Sequence, residues 1–144
     1  MVHFENSFQY GIQEEKEVLP IIKEFFKRDI EQSTNKWSKY DFFDSETIYE
    51  LKSRTNTLNK YSDTMITANK IVDESRKQIL LFNFTDCIAY IEYNPEIFKK
   101  YPKKKFSRAQ IKADEKEHIF IPIQDLKIIS LKEEKKAKII VEFN

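Results

Sequence analysis

Glycine, cysteine and histidine are nearly missing from this chain of 144 residues, which has one glycine, one cysteine and two histidines. A single glycine, Gly11, excludes the glycine-rich phosphate cradles, because a Walker loop or a dinucleotide fingerprint needs at least two. A single cysteine, Cys87, excludes an internal disulfide framework and a zinc site built on cysteine pairs. His3 and His118 leave little room for a histidine-rich metal centre. No apolar run approaches the roughly 20 residues of a membrane span. The opening residues MVHFENSF lack the basic and apolar regions of a signal peptide. These absences lead us to expect a soluble, intracellular, cytoplasmic protein without a membrane partner. Any chemistry falls to carboxylates and lysine.

Both groups are plentiful. The 25 basic and 24 acidic residues nearly cancel, to a formal net charge of +1, so the overall field does not advertise a polyanionic partner. Twelve phenylalanines and seven tyrosines are ample for a core. The length favours one domain over residues 1–144. The abundance of Lys, Asn, Ile and Phe suggests an AT-rich genome, which alone could account for clustered lysines.

The apolar spacing predicts a helix over residues 12–31, with Val18, Leu19, Ile22, Phe25, Phe26 and Ile30 on one side. Pro20 is expected to kink it or reset its first turns. An aromatic strand over 37–43 and a second over 48–52 flank a turn at 44–47. Trp37 is expected under the sheet. A second helix is expected over 62–76, with Met65, Ile66, Ala68, Ile71 and Val72 as its stripe. Residues 78–84 and 87–93 read as strands, with Cys87 in the core. A helical turn (96–101) and a basic loop (99–108) follow. Further strands are expected at 117–123, 127–131 and 136–143. His118 reads as a surface or edge residue. The sum is a mixed α/β domain with a central sheet and helices packed on it.

The stretch that carries chemistry is YDFFDSETIYELK, residues 40–52. A four-residue loop at 44–47 sets Asp41 directly opposite Glu50, with Cβ atoms about 4.5–5.5 Å apart. Lys52 shares the face of Glu50 by the period-two rule. Two carboxylates so close raise each other's pKa unless a cation lies between them. A hard divalent ion such as Mg²⁺, which prefers oxygen ligands, answers that repulsion. A neighbouring lysine can act on water or on charge developing at a phosphate. Such parts suit phosphodiester hydrolysis. On the first helix, Glu15 lies near the middle of the apolar arc, which favours it over Glu14 and Glu17 as a third acid. Asp44 is the rival to Asp41 if the register shifts.

Asp41 followed by Glu50-Leu51-Lys52 resembles the D…(D/E)xK core of the PD-(D/E)XK nuclease superfamily, whose fold is restriction-endonuclease-like. Gly11-Ile-Gln-Glu-Glu15 is similar to the Gly-x-x-x-Glu start of the first helix in archaeal Holliday junction resolvases. Residues 50–54 (ELKSR) and 64–70 (TMITANK) are similar to segments of small nucleases of phages and large DNA viruses. The resemblance spans about residues 9–90, and Tyr40 stands where many members have proline. It implies a mixed central β-sheet flanked by helices. It also implies a DNA nuclease in which Glu15, Asp41, Glu50 and the Leu51 carbonyl hold Mg²⁺ or Mn²⁺. Lys52 would then assist the attacking water.

Arg54, Lys60 and Lys70 are candidates for touching the DNA backbone. Lys103, Lys104 and Lys105, within the basic run 99–108, are candidates for a phosphate-contacting loop. At this size recognition would rest on DNA shape or ends, or on a homodimer that pairs two sites. The competing expectation is a non-catalytic nucleic-acid-binding or assembly protein that keeps the fold.

Overall fold

The computed structural model describes residues 2–35, 37–107 and 115–132. In chain order these form α1 (Val2–Phe26), β1 (Glu31–Gln32), β2 (Phe42–Phe43), β3 (Thr47–Ser53) and β4 (Asp63–Thr67). A 3₁₀ turn (Ala68–Lys70), β5 (Lys77–Asn83), β6 (Cys87–Glu92) and α2 (Pro95–Phe98) follow. Then come β7 (Lys103–Phe106), β8 (Lys116–Pro122), a 3₁₀ turn (Ile123–Asp125) and β9 (Lys127–Leu131). The result is a mixed α/β fold around a six-stranded sheet ordered β1-β2-β3-β5-β6-β9, with a second sheet ordered β4-β8-β7.

β5 explains the layering. Gln78 to Phe82 are all buried, as in a strand covered on both faces. Its odd positions, Ile79 and Leu81, pack with Val18 and Ile22 of α1 and with Phe42, Tyr49 and Ile88. Its even positions, Leu80 and Phe82, pack with Ile66, Ile119 and Ile121 of the second sheet and with Phe98 of α2. Each such side chain removed from water contributes about 1.5–3 kcal/mol. The central sheet is therefore held between α1 on one face and the smaller sheet on the other. Cys87 is buried, as expected. Asn94 caps α2, its side chain accepting the Glu96 and Ile97 N–H groups ahead of Pro95.

Several elements differ from the sequence expectation. The first helix is Val2–Phe26 rather than 12–31, and it runs through Pro20. Pro20 is exposed, so water can satisfy the carbonyl freed by its missing N–H. Lys27 ends the helix in the left-handed region, φ 56°, with its N–H on the Lys23 carbonyl at 3.0 Å. Ile30 is buried from beyond that cap. Of the strand expected at 37–43 only Phe42–Phe43 forms, and Trp37 is 80% exposed instead of lying under the sheet.

The helix expected over 62–76 is β4 plus the 3₁₀ turn. Thr64 and Ile66 are buried in alternation, and β4 pairs antiparallel with β8 from Asp63↔Pro122 to Thr67↔His118. An apolar run this short fits either period, and the partner strand decides it. Part of the basic loop is strand β7, paired with β8. His118 is buried, not peripheral: its ring stacks on Phe106 at 3.9 Å, and Nδ1 lies 2.9 Å from the Lys116 carbonyl. The strand expected at 136–143 and Arg108 of the basic run lie outside the described residues.

Candidate active site

β2 is so short that its end defines the site. The pairs Phe42↔Tyr49 and Phe43↔Ile48 have the register expected from the 44–47 loop, but the ladder stops there and the expected Asp41–Glu50 pair is not formed. The Asp41 N–H donates to the Tyr49 carbonyl at 2.9 Å. One step further along β3 no strand residue remains to pair, and Asp41 Oδ2 accepts the Leu51 N–H at 2.8 Å. The N–H and C=O of a strand residue point to the same side, so the Leu51 carbonyl faces this edge too. In the parallel pairing of β3 with β5, Glu50 aligns with Leu80 and Lys52 with Phe82. Glu50 and Lys52 therefore share the face turned toward the second sheet, while Tyr49 and Leu51 face α1.

Glu15 approaches from the helix side. Gln32 of β1 holds it, its Nε2 donating to Glu15 Oε1 at 3.1 Å and to the Ile12 carbonyl at 3.1 Å. Glu14 instead accepts the Ser53 hydroxyl at 3.0 Å, and Glu17 is exposed. Glu15, Asp41 and Glu50 line one cleft of about 570 Å³. Its other walls are the loop Ser33 to Asp41 and the segment Asn69 to Asp73.

The acids are crowded. Burial, then the charge of Asp41, pushes Glu50 up to about 8, although Lys70 and Lys52 pull it back. Burial, then Asp41, pushes Glu15 up to about 7. Asp41 also shares a side-chain hydrogen bond with each of them. Lys52 is lowered by burial and then by Lys70. Glu15 and Glu50 are thus held toward their neutral forms, and a cation nearby would favour their charged forms.

Among the described residues, no three His, Cys, Asp or Glu side chains stand as a ready metal-holding group. The acids are linked in pairs through Asp41 instead. The donor set is nonetheless all oxygen and concentrated, which fits a hard divalent cation.

Two residues gain a place that the sequence reading did not give them. Lys70 was expected on a helix, as a backbone contact; it lies on the 3₁₀ turn, lines the cleft, and acts electrostatically on both Glu50 and Lys52. Gln78, 4% exposed, buckles that turn to the sheet. Its Nε2 donates to the Lys70 carbonyl at 2.6 Å, and its Oε1 accepts the Val72 N–H at 3.0 Å. The signal available in the sequence was one amide heading the apolar run QILLFNF.

Asp44, the rival acid, is committed elsewhere. Burial alone would raise its pKa. Arg28 at 2.8 and 2.9 Å, the Glu46 N–H and the Tyr49 hydroxyl at 2.7 Å outweigh that and hold it well below the usual carboxylate range. Arg54 donates to the Thr64 hydroxyl at 3.0 Å and to the Met65 carbonyl, tying β3 to β4. Lys103 caps α2, with Nζ on the Phe98 and Tyr101 carbonyls at 2.9 and 3.1 Å. Lys104 and Lys105 are exposed on β7, and Lys60 lies over the Tyr61 ring at 5.9 Å.

Comparison with known proteins adds no relative: no family model, no curated protein and no solved structure matches this chain.

Proposed function

We propose that this protein is a metal-dependent nuclease that hydrolyses DNA phosphodiester bonds, with a PD-(D/E)XK-type site. The observation that carries the reading is the convergence of Asp41, Glu50 and Glu15 on one cleft, with Lys52 on the same strand face as Glu50. Acids gathered so that Glu15 and Glu50 ionise less readily are poor structural economy and good cation ligands. An ordinary charged hairpin would leave its carboxylates in water, whereas Glu50 is 5% exposed. The order of the elements departs from the resemblance in one respect: β4 and a 3₁₀ turn occupy the crossover between β3 and β5 where a helix was expected.

Glu15, Asp41, Glu50 and the Leu51 carbonyl would hold Mg²⁺ or Mn²⁺. When bound, the ion supplies charge for the phosphoryl oxygens and lowers the pKa of a water. Glu15 and Glu50 would be drawn toward their charged forms by an ion held there. Asp41 is held in orientation by the Leu51 N–H. Lys52, with its pKa lowered, can take a proton from the attacking water more readily than a solvated lysine can. Lys70, which lines the cleft, offers a second ammonium to the phosphate. Water adds at phosphorus and one P–O ester bond breaks, with the leaving oxygen protonated from Lys52 or solvent.

Purified protein incubated with single-stranded, double-stranded, flapped and four-way DNA, and with RNA, tests the reading. Cleavage is expected with Mg²⁺ or Mn²⁺ and is lost with EDTA and in Lys52→Ala. No metal-dependent cut on any substrate overturns it and leaves a binding or assembly role.

A further inference from the structure

We infer that Trp37 forms a stacking platform for an unpaired base at the rim of the cleft, which makes single-stranded DNA, rather than intact duplex, the substrate class. This deepens the nuclease reading and rests on it.

Three observations converge. Trp37 is the only tryptophan of the chain, and its side chain is 80% exposed, whereas Tyr49, Phe42, Phe82 and Phe84 are almost wholly buried. The chain places it beside the cleft, between Asn35 before it and Ser38, Lys39 and Tyr40 after it, which line the cleft. The loop is stapled in that position. The Trp37 N–H donates to Asn35 Oδ1 at 2.9 Å, the Ser38 N–H to the Asn35 carbonyl at 2.9 Å, and the Ser33 N–H to the Asp41 carbonyl at 2.8 Å. An indole presented on a fixed loop loses little conformational freedom when a base stacks on it.

The depth of the acids argues for an unpaired strand. Glu50 lines the cleft and is only 5% exposed. A phosphate must enter the cleft closely to reach it. The phosphates of a duplex are carried on a stiff rod with a partner strand in the way, whereas a single strand bends freely and can turn its bases outward. The wall beside Trp37 bears hydroxyl, amide and ammonium groups from Ser33, Asn35, Ser38 and Lys39, which suit a sugar-phosphate chain. Stacking tolerates any base, so the platform would select for strandedness rather than sequence.

The sole tryptophan makes the test direct. In Lys52→Ala with Mg²⁺, oligo-dT should quench the intrinsic tryptophan fluorescence saturably, and a blunt hairpin duplex of equal length should do so far less. In the otherwise native protein, Trp37→Ala should lower kcat/KM on single strands about 5- to 100-fold, the range a lost stacked base gives. It should leave the melting temperature unchanged, and Trp37→Phe should restore most of the activity. Equal quenching by duplex, or oligo-dT binding by anisotropy without quenching, overturns the platform. Quenching without metal-dependent cleavage on any substrate keeps the platform and sinks the nuclease, so the two failures are separate.

Discussion

The Asp41 carboxylate accepts the Leu51 backbone N–H at 2.8 Å, taking the place that a longer β2 would have filled. One side chain thereby both completes the sheet edge and heads the acidic cluster. The two duties separate by substitution. Asp41→Asn keeps an acceptor for Leu51 and removes the charge; Asp41→Ala removes both. Both should abolish cleavage. In thermal or urea unfolding, Asp41→Ala should be less stable than Asp41→Asn by about 1 kcal/mol, the net worth of one such bond. Equal stabilities would show that the bond does not hold the edge.

The raised acids predict an unusual pH response of the metal-free protein. Glu50, at about 8, and Glu15, at about 7, hold protons more tightly when folded than in an unfolded chain. The folded state then binds more protons across the window from about 4.3 to 8, so this contribution to stability falls as pH rises through it. Glu50→Gln should raise the melting temperature at pH 8 and change it little at pH 4. Mg²⁺ or Mn²⁺ should stabilise the native protein more at pH 8 than at pH 5.5, because fewer protons remain to be displaced. Calorimetry at the three pH values checks both.

Gln78 should behave as part of the Lys70 apparatus. Gln78→Leu leaves the Lys70 carbonyl and the Val72 N–H without this partner, at a cost of about 1–3 kcal/mol. Cleavage should fall as far as in Lys70→Ala, and the double variant should fall no further. Additive losses in kcat would mean that the buckle serves stability alone.

Gly11 lies inside α1, and a Cβ there meets nothing within 4 Å. Neither a turn nor a close approach requires it. Gly11→Ala should stabilise the helix by about 0.5–1 kcal/mol, seen as a higher melting temperature with cleavage retained. A destabilised or inactive variant would give this glycine a role beyond the helix.

The hairpin register was legible from the sequence because a four-residue loop and period-two alternation leave one pairing that buries Phe42 and Tyr49 together. Glu15 was legible because an acid in an apolar arc needs a partner. Residues 62–76 were not. Their strand form depends on β8, some fifty residues away, which no local period encodes. Trp37 was misread because aromatic residues usually go inside, whereas this one sits on a loop outside both hydrophobic clusters. Lys70 and Gln78 meet through a backbone carbonyl, a contact that leaves no mark on either side chain's identity.

The cleft's floor comes from β3 and Asp41, while its walls come from α1, the loop before β2 and the turn after β4. Each wall belongs to a different stretch of chain, and none of them supplies both Glu50 and Lys52. Lengthening or trimming one wall would therefore reshape the cleft without moving Glu50 and Lys52. On the nuclease reading, what enters the cleft and the pair that would act on it are set by different stretches of chain.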